Sequence, residues 1–366
     1  TMWQRIKWRL KRGNLDYTKH SPQFIQQNQI YPIDSVKDRP RAHASTIINA
    51  GVDSGVQKLY CAWFSGKAEG FLNVAIMFSE ITYDISEVNK ISDENHQPID
   101  FHYTRPRVIA DDPERACGNP VIFLDNNDVL HLWYAAFYAK DDPYGRKDHR
   151  KLFYKKSKDH GITWTQPEEF SDRDGLWVRS PLLVLDSGTW LLPINDEVTK
   201  VPKYKTKWSS RFVFSHDNGK TWEFSKLYSI KKGMIQPDVI QFEDGSLYCV
   251  NRTRTGYIAD MRSFDNGRTW TEPKNMELPN PNSCVAITLS ETGAIIMIYN
   301  PLTIGRGILS AAKSTDKGAS WIRLFDLRDE KLREFSYPCV LETKDGLIHC
   351  VYTYKRKTIS HDIFVL

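Results

Sequence analysis

The residues of this 366-residue chain best suited to binding a metal ion or acting as a thiol nucleophile are its ten histidines and six cysteines. Their spacing favours neither role. The cysteines form no Cys-x-x-Cys pair, no His-x-x-x-His spacing recurs, and no Asp-x-Asp-x-Asp-Gly run predicts a calcium loop. Most cysteines lie in apolar runs such as LYCAW, which predicts buried free thiols. The sequence therefore predicts catalysis by ordinary side chains, without a cofactor or a metal ion.

A motif that occurs four times indicates the elements that position such side chains. Its pattern is Ser-x-Asp-x-Gly-x-(Ser/Thr)-Trp, and successive copies start 58, 48 and 51 residues apart. The copies are SKDHGITW at 157–164, SHDNGKTW at 215–222, SFDNGRTW at 263–270 and STDKGASW at 314–321. Asp and Gly suit a tight turn between two strands, and the final Trp suits packing between neighbouring sheets. The motif is therefore predicted to be structural rather than catalytic.

The period of the motif predicts the fold. Each unit of about 50 residues holds roughly four short β-rich runs separated by turn signals, which is typical of one propeller blade. Six such units account for residues 41–366, and no long helical pattern interrupts them. We therefore predict an all-β, six-bladed β-propeller over 41–366, preceded by an N-terminal extension at 1–40.

Composition and the N-terminal residues limit the partners. A formal charge of +5 is small for this length, so it does not suggest a nucleic-acid partner and would not repel an acidic one. The start, TMWQRIKWRLKRG, can place apolar residues on one helical face with basic residues around it, and such a face can contact an anionic membrane. Because the segment is short, a solvated tail or a helix packed on the domain is the favoured interpretation. The run lacks the apolar core of a signal peptide, and the expected location is cytoplasmic or peripheral to a membrane. The oligomeric state stays open.

With its four boxes, the chain resembles the sialidases (neuraminidases), and in particular the bacterial sialidase-related branch with BNR repeats. Matching segments occur over nearly the whole range from residue 40 onward. They include HASTII at 43–48, AWFSGKAEG at 62–70, GNPVIF at 118–123, IQPDVIQFEDGSLYCVNRTR at 235–254, LPNPNS at 278–283 and SYPCVLETKDGLIHCVYTY at 336–354. The resemblance implies a propeller of the sialidase type.

The same resemblance implies roles for particular residues. Tyr337, in the segment EFSYPCV, matches the sialidase nucleophile. A neutral phenol suits this role because it avoids the repulsion that a carboxylate would meet beside an acidic sugar. Arg252 and Arg306 match two arginines that bind the sugar's carboxylate, for which the guanidinium fork is suited. Glu69 lies where sialidases place the acid/base residue. Asn119 is a further candidate, for binding a substrate hydroxyl.

Two positions depart from the sialidase pattern. The first carboxylate-binding arginine would fall at or next to His43, although Arg41 lies on the same strand face and can substitute. The glutamate that activates the tyrosine aligns with Gln236, and glutamine cannot accept a proton. A phenol without a base is a poor nucleophile at neutral pH. Either His43 or Glu334 serves as the base, or the chemistry differs.

Three functions fit these residues, all with an acidic glycan or polysaccharide as partner. The first is an exo-acting glycoside hydrolase that removes sialic acid or a related ulosonic acid. The second is a polysaccharide lyase, or another glycosidase, that acts on a glycan containing uronic acid, with His43 and Tyr337 as base and acid. The third is a carbohydrate-binding propeller without turnover.

Overall fold

The computed structural model describes residues 24–33, 35–90, 98–145, 150–198 and 207–366. In these ranges the chain forms 26 β-strands and one short 3-10 helix at Ile85–Lys90. The strands make six antiparallel sheets of four or five strands, and the predicted six-bladed β-propeller is confirmed. Among the described residues, no helix is long and apolar enough to cross a membrane.

The chain divides into two compact units. The continuous unit is described from residue 175 to residue 338, and the split unit consists of residues 22–174 and 339–366. The division falls within a strand, β24 (Phe335–Glu342), directly after Pro338.

The split unit contains the first two sheets and most of the last one. The first sheet holds β2 (Arg41–Asp53), β3 (Val56–Gly66), β4 (Ala75–Asp84), β5 (His102–Tyr103) and β6 (Arg107–Ala110). The second holds β7 (Arg115–Leu124), β8 (Leu130–Tyr138), β9 (Arg150–Ser157) and β10 (Glu168–Glu169). The last holds β24, β25 (Ile348–Tyr354), β26 (Thr358–Val365) and β1 (Phe24–Gln29).

The continuous unit contains the other three sheets. The third holds β11 (Leu176–Val178), β12 (Leu183–Val184), β13 (Trp190–Val198), β14 (Lys207–Ser215) and β15 (Glu223–Phe224). The fourth holds β16 (Met234–Gln241), β17 (Leu247–Thr253), β18 (Tyr257–Ser263) and β19 (Lys274–Pro279). The fifth holds β20 (Ala286–Leu289), β21 (Ile295–Tyr299), β22 (Ile308–Ser314) and β23 (Ile322–Asp329).

Strand β1 lies in the range 1–40 that was predicted as an extension. It pairs antiparallel with β26, from Phe24 opposite Val365 to Gln29 opposite Ser360. Residues 24–29 therefore belong to a blade. The basic segment at 1–13 lies outside the described residues, and its contact with a membrane stays a prediction.

The four Ser-x-Asp-x-Gly turns each join the last two strands of their sheet in chain order. In the turn at 263–270, the Asp265 carboxylate accepts hydrogen bonds from the backbone and the hydroxyl of Thr269, at 2.8 and 2.6 Å. Trp270 donates to the carbonyl of Gly267 at 3.0 Å and stacks on Phe212 of the preceding sheet, with 4.4 Å between ring centres. The motif thus closes its own turn and packs two sheets together.

The six cysteines are located in the buried interior of the fold. All six are buried free thiols, as the sequence predicts. Five of them lie in strands, for example Cys249, which packs in one core cluster with Met261 and Leu247, and Cys284 lies shortly before β20.

Candidate functional site

Five non-glycine residues with left-handed backbone mark corresponding places in five sheets. Four lie in the first strand of a sheet, and the fifth lies shortly before one. They are Ala44, Asn119, Gln236, Asn282 and Tyr337, with φ between 47° and 58°. The strand register shifts beside the residues in β2, β7 and β16, as it does at a β-bulge. Such backbone costs on the order of 1–3 kcal/mol per residue and tends to be kept at functional sites.

Buried polar side chains form hydrogen bonds to the backbone at or near three of these left-handed residues. Asn195, in β13, accepts the backbone N–H of Gln236 at 2.5 Å, and Thr353, in β25, accepts that of Ala44 at 3.2 Å. Asn300, directly after β21, donates to the carbonyl of Phe335 at 2.8 Å. Sequence reasoning missed all three. Their shared signal is an Asn or Thr that ends an apolar run, as in LLPIN, IMIYN and HCVYT.

In the continuous unit, the predicted nucleophile contacts two other predicted residues. Arg252 donates from Nη1 to the Tyr337 hydroxyl at 2.7 Å and to Oε1 of Gln236 at 3.2 Å. Nε2 of Gln236 donates to the same hydroxyl at 3.3 Å. All three side chains are buried. Gln236 therefore occupies the contact with the phenol that an activating glutamate would need.

Arg306 completes this group. Its guanidinium carbon lies 5.5 Å from the Tyr337 ring centre. It donates to Oε1 of Glu334 at 3.1 Å and to the carbonyl of Asn282 at 2.9 Å. The Asn282 side chain accepts from Nε of Arg252 at 2.7 Å, so one asparagine links both arginines. We call Gln236, Arg252, Asn282, Arg306, Glu334 and Tyr337, together with Arg179, the Tyr337 cluster.

Arg179 belongs to this group although the sequence had not given it a functional role. Its guanidinium carbon lies 5.4 Å from the ring centre of Tyr337, and that of Arg252 lies 5.9 Å away. With Arg306, three positive charges surround one phenol. Such a group is suited to binding a carboxylate and to stabilising negative charge on the phenol oxygen.

Two buried acids border the Tyr337 cluster. Burial raises the pKa of Asp238 to about 6, against the effects of a backbone N–H bond from Ile287 and of the Arg179 charge. Burial also raises the pKa of the Cys284 thiol, against the positive charges of the cluster. The environment is therefore dry, and interactions between charges are strong there.

In the split unit, three other predicted residues line one cavity of about 380 Å³. A volume of this size suits a small ligand such as one sugar residue. Its principal lining side chains are Arg41, His43, Phe64, Glu69, Lys140 and Arg356. We call it the split-unit cavity. Asn119 is not among its lining residues, and the binding role of Asn119 stays a prediction.

The charges in the split-unit cavity pair with one another. The Glu69 carboxylate accepts from Arg356 at 2.6 Å, and the ammonium of Lys140 donates to the Glu69 backbone carbonyl at 2.8 Å. Arg356 has a left-handed backbone, with φ 59°, and the sequence had not given it a functional role. The local feature that could have drawn attention to it is the basic run KRKT directly after β25, in which Lys355 is left-handed as well.

His43 is oriented by its neighbours. The Thr353 hydroxyl accepts the backbone N–H of Ala44 and lies 2.8 Å from Nδ1 of His43. We assign the hydroxyl hydrogen to that contact, which leaves the ring proton on Nε2. In this tautomer His43 is a hydrogen-bond donor at Nε2. Among the described residues, no group of three or more His, Cys, Asp or Glu side chains could hold a metal ion.

Comparisons with known proteins agree with this fold. A family model described as the BNR repeat-like domain matches residues 57–350. An anhydrosialidase of Macrobdella decora is 25% identical over 177 residues, which are 42% of this chain and 22% of that protein. A sialidase of Paraclostridium sordellii is 26% identical over 197 residues, or 45% and 48% of the two chains. The matched part therefore spans less than half of either relative.

Solved structures extend the likeness over most of the chain. The Hadza microbial sialidase Hz136 superposes with a TM-score of 0.71, covering 93% of this chain and 68% of its own, at 16% identity. At that identity the likeness shows the fold.

Proposed function

Because this chain belongs to the BNR repeat-like domain family, within the sialidase superfamily, we propose that it is an exo-acting glycoside hydrolase that removes a terminal acidic sugar from a glycan. One observation carries the choice of an acidic sugar. The guanidinium groups of Arg179, Arg252 and Arg306 surround the Tyr337 ring at 5.4–5.9 Å, and Arg252 donates to its hydroxyl.

The charges favour sialic acid or a related ulosonic acid, in which the anomeric carbon bears a carboxylate. The fork of an arginine can hold that carboxylate through two hydrogen bonds. Among the described residues, Nη2 of Arg252 makes no hydrogen bond, and Arg306 can exchange its bond to Glu334 for the ligand. A neutral tyrosine is then the nucleophile that the carboxylate repels least.

The Tyr337 oxygen attacks the anomeric carbon while the bond to the leaving oxygen breaks, and the phenol must lose its proton. Gln236 cannot take this proton. We assign it to Glu334, which Arg306 releases when it turns to the ligand and which keeps its bond from the Ser336 hydroxyl at 2.8 Å. The leaving oxygen gains a proton from solvent, and water then cleaves the bond between the sugar and Tyr337, which returns the phenol. Arg252 stabilises the negative charge that develops on the phenol oxygen. The acid/base role of Glu69 and the roles of His43 and Arg41 stay predictions.

The test is a panel of fluorogenic glycosides that carry sialic acid, a deaminated ulosonic acid, glucuronic acid or neutral galactose. We expect release from an ulosonic acid. Tyr337→Phe should lower kcat by at least about 10³-fold, while calorimetry detects the acidic sugar bound as before. Full activity of Tyr337→Phe would disprove the nucleophile, and turnover of galactose alone would disprove the acidic substrate.

A lyase is the second candidate, and one observation favours it. The Tyr337 hydroxyl is hydrogen-bonded to an arginine and an amide rather than to a carboxylate. A phenol beside a positive charge can act as base or acid in β-elimination from a uronate, whose carboxylate the arginines would neutralise. Incubation with a uronate-containing polysaccharide separates the reactions, because only elimination forms an unsaturated product that absorbs ultraviolet light. Calorimetric binding with no product would instead indicate a binding protein.

A further inference from the structure

We propose that Arg179 is a positioning residue, which holds the backbone at Tyr337 in the bent conformation that directs the phenol toward Arg252. The inference rests on the proposed role of Tyr337 as the nucleophile. Arg179 lies between β11 and β12, and Tyr337 lies 158 residues later in β24.

The geometry of two hydrogen bonds leads to this role. Nη2 of Arg179 donates to the carbonyl of Tyr337 and to the carbonyl of Pro338, both at 2.7 Å. In an extended strand, successive carbonyls point to opposite sides. One nitrogen can reach both only where the strand is bent, as it is at Tyr337, with φ 56°. Arg179 therefore stabilises the bent backbone selectively over an extended one.

The bent backbone is costly enough to need such support. A bulky aromatic residue with left-handed backbone is an outlier, because its side chain crowds the backbone in that conformation. Hydrogen bonds to a charged donor are stronger than those to a neutral one, so a pair of them can offset the strain. Without them, an extended strand would carry the phenol away from Arg252 and Gln236.

The burial of Arg179 argues against a role in packing alone. The residue is 2% exposed, and its Nε has no hydrogen-bond partner among the described residues. Burying a guanidinium with an unsatisfied donor costs several kcal/mol, and an apolar side chain would fill the space at lower cost. The guanidinium of Arg179 instead contacts the backbone of Tyr337 itself.

A buried carboxyl group balances this charge. Asp238 is 6% exposed, and its Oδ2 accepts the backbone N–H of Ile287 at 2.8 Å. The charged or titratable groups that act on it are Arg179 and the thiols of Cys249 and Cys284, and the Ser180 hydroxyl bonds to it. Below about pH 6 Asp238 takes up a proton, and Arg179 loses its counter-charge. Turnover should therefore depend on this proton although Asp238 has no contact with Tyr337.

The test compares Arg179→Gln and Arg179→Lys with the wild type on the ulosonic-acid glycoside. Arg179→Gln should lower kcat by about 10²-fold, because a displacement of about 1 Å at a reacting group costs that much, and should change KM less than about threefold. Arg179→Lys should restore part of kcat. Arg211→Gln is the matched control. It removes a partly buried arginine of the same unit, paired with Asp196 at 3.1 Å, and should leave kcat unchanged.

Asp238→Asn supplies a test should Arg179→Gln fail to fold. It should remove or shift the acid limb of the kcat profile near pH 6, and an unchanged profile would overturn the proposal. Unchanged kcat in folded Arg179→Gln would overturn it as well.

Crystal structures of Arg179→Gln and the wild type separate the failure of the positioning role from the failure of the proposed function. If the wild type cleaves no acidic sugar but Tyr337 becomes extended in the variant, the proposed function fails and the positioning stands. If Tyr337 stays left-handed, the positioning fails.

Discussion

The Tyr337 cluster and the split-unit cavity both combine arginines, a carboxylate and left-handed backbone, yet they treat charge differently. In the cluster, Arg179 and Arg252 are buried and bond mainly to neutral groups. In the cavity, Glu69 and Arg356 pair with each other, and their side chains are 51% and 28% exposed. Water and salt weaken exposed charges. We therefore propose that the cluster carries the chemistry, and that the exposed charges of the cavity would contribute less to turnover.

Removing one arginine from each region tests this contrast most strongly. Arg252→Ala should lower kcat/KM by about 10²–10³-fold, since it removes a preorganised donor to the reacting oxygen. Arg356→Ala should raise KM by at most about tenfold with kcat retained, as expected of an exposed charge. Steady-state kinetics on the acidic glycoside measures both. Equal losses of kcat in the two variants would end the distinction, and Arg252→Lys shows whether the fork or the charge matters.

A carboxylate at Gln236 should sharpen the assignment of the cluster. Gln236→Glu places a proton acceptor 3.3 Å from the Tyr337 hydroxyl, in the position of the amide nitrogen. A general base contributes about 10²–10⁴-fold, and we expect kcat to rise by about 10²-fold at pH 7. Gln236→Met, which keeps the volume, should show no rise. A Glu variant no faster than the wild type would show that a base at position 236 does not limit the activation of Tyr337.

Acid should affect buried groups of the two units in opposite directions. In the split unit, His349 and His361 are buried with 3.0 Å between Nδ1 and Nε2, and burial lowers the pKa of His349 to about 3. An unfolded histidine titrates near 6.5, so the unfolded chain gains protons below that pH and the free energy of unfolding falls, by about 2 kcal/mol per histidine at pH 5. In the continuous unit, the raised pKa of Asp238 has the reverse effect, stabilising the fold as pH falls through about 6.

Urea unfolding at pH 7 and pH 5 measures this difference. His349→Gln should lose about half of the acid destabilisation that the pair contributes, because one titrating group is removed. The exposed His216 supplies the control, and His216→Gln should leave the pH dependence unchanged. Equal pH dependence in all three chains would contradict the assignment to the buried pair.

The smallest effect should come from the turns, which frame both regions. Thr269→Val removes the hydroxyl bond to Asp265 at nearly constant volume and should cost about 1 kcal/mol of unfolding free energy. Thermal unfolding measures the loss, and kcat should not change. A change in kcat at constant stability would show that the turns reach the chemistry.

The fold was predictable because its signal is local and repeated. Each Asp and Gly of the box makes bonds within its own turn, so the spacing alone predicts the blades. The contacts of Arg252 and Gln236 with Tyr337 involve three positions that the resemblance had singled out, so the sequence named the residues that meet. The amide of Gln236 makes the contact that an activating glutamate would need.

The roles of Arg179 and Arg356 were not predictable. Each depends on a partner far along the chain: two carbonyls 158 and 159 residues away for Arg179, and a carboxylate 287 residues away for Arg356. No local pattern specifies such a pair. Asn119 illustrates the opposite case. It is a polar residue in a segment that matches the family, yet it does not line the split-unit cavity. The strand β1 was assigned to an extension because six residues without a box give no repeat signal.

The pairing of β1 with β26 has a consequence for biosynthesis. The two strands are separated by more than 300 positions, so the last blade cannot be completed until β26 has left the ribosome. The continuous unit, by contrast, is synthesised without interruption and can begin to fold earlier. Until then, β1 exposes unpaired backbone groups that other chains can bind. Contacts so distant in sequence also make the final step slow. The delay before β26 is available thus sets the interval during which a chaperone would be needed most.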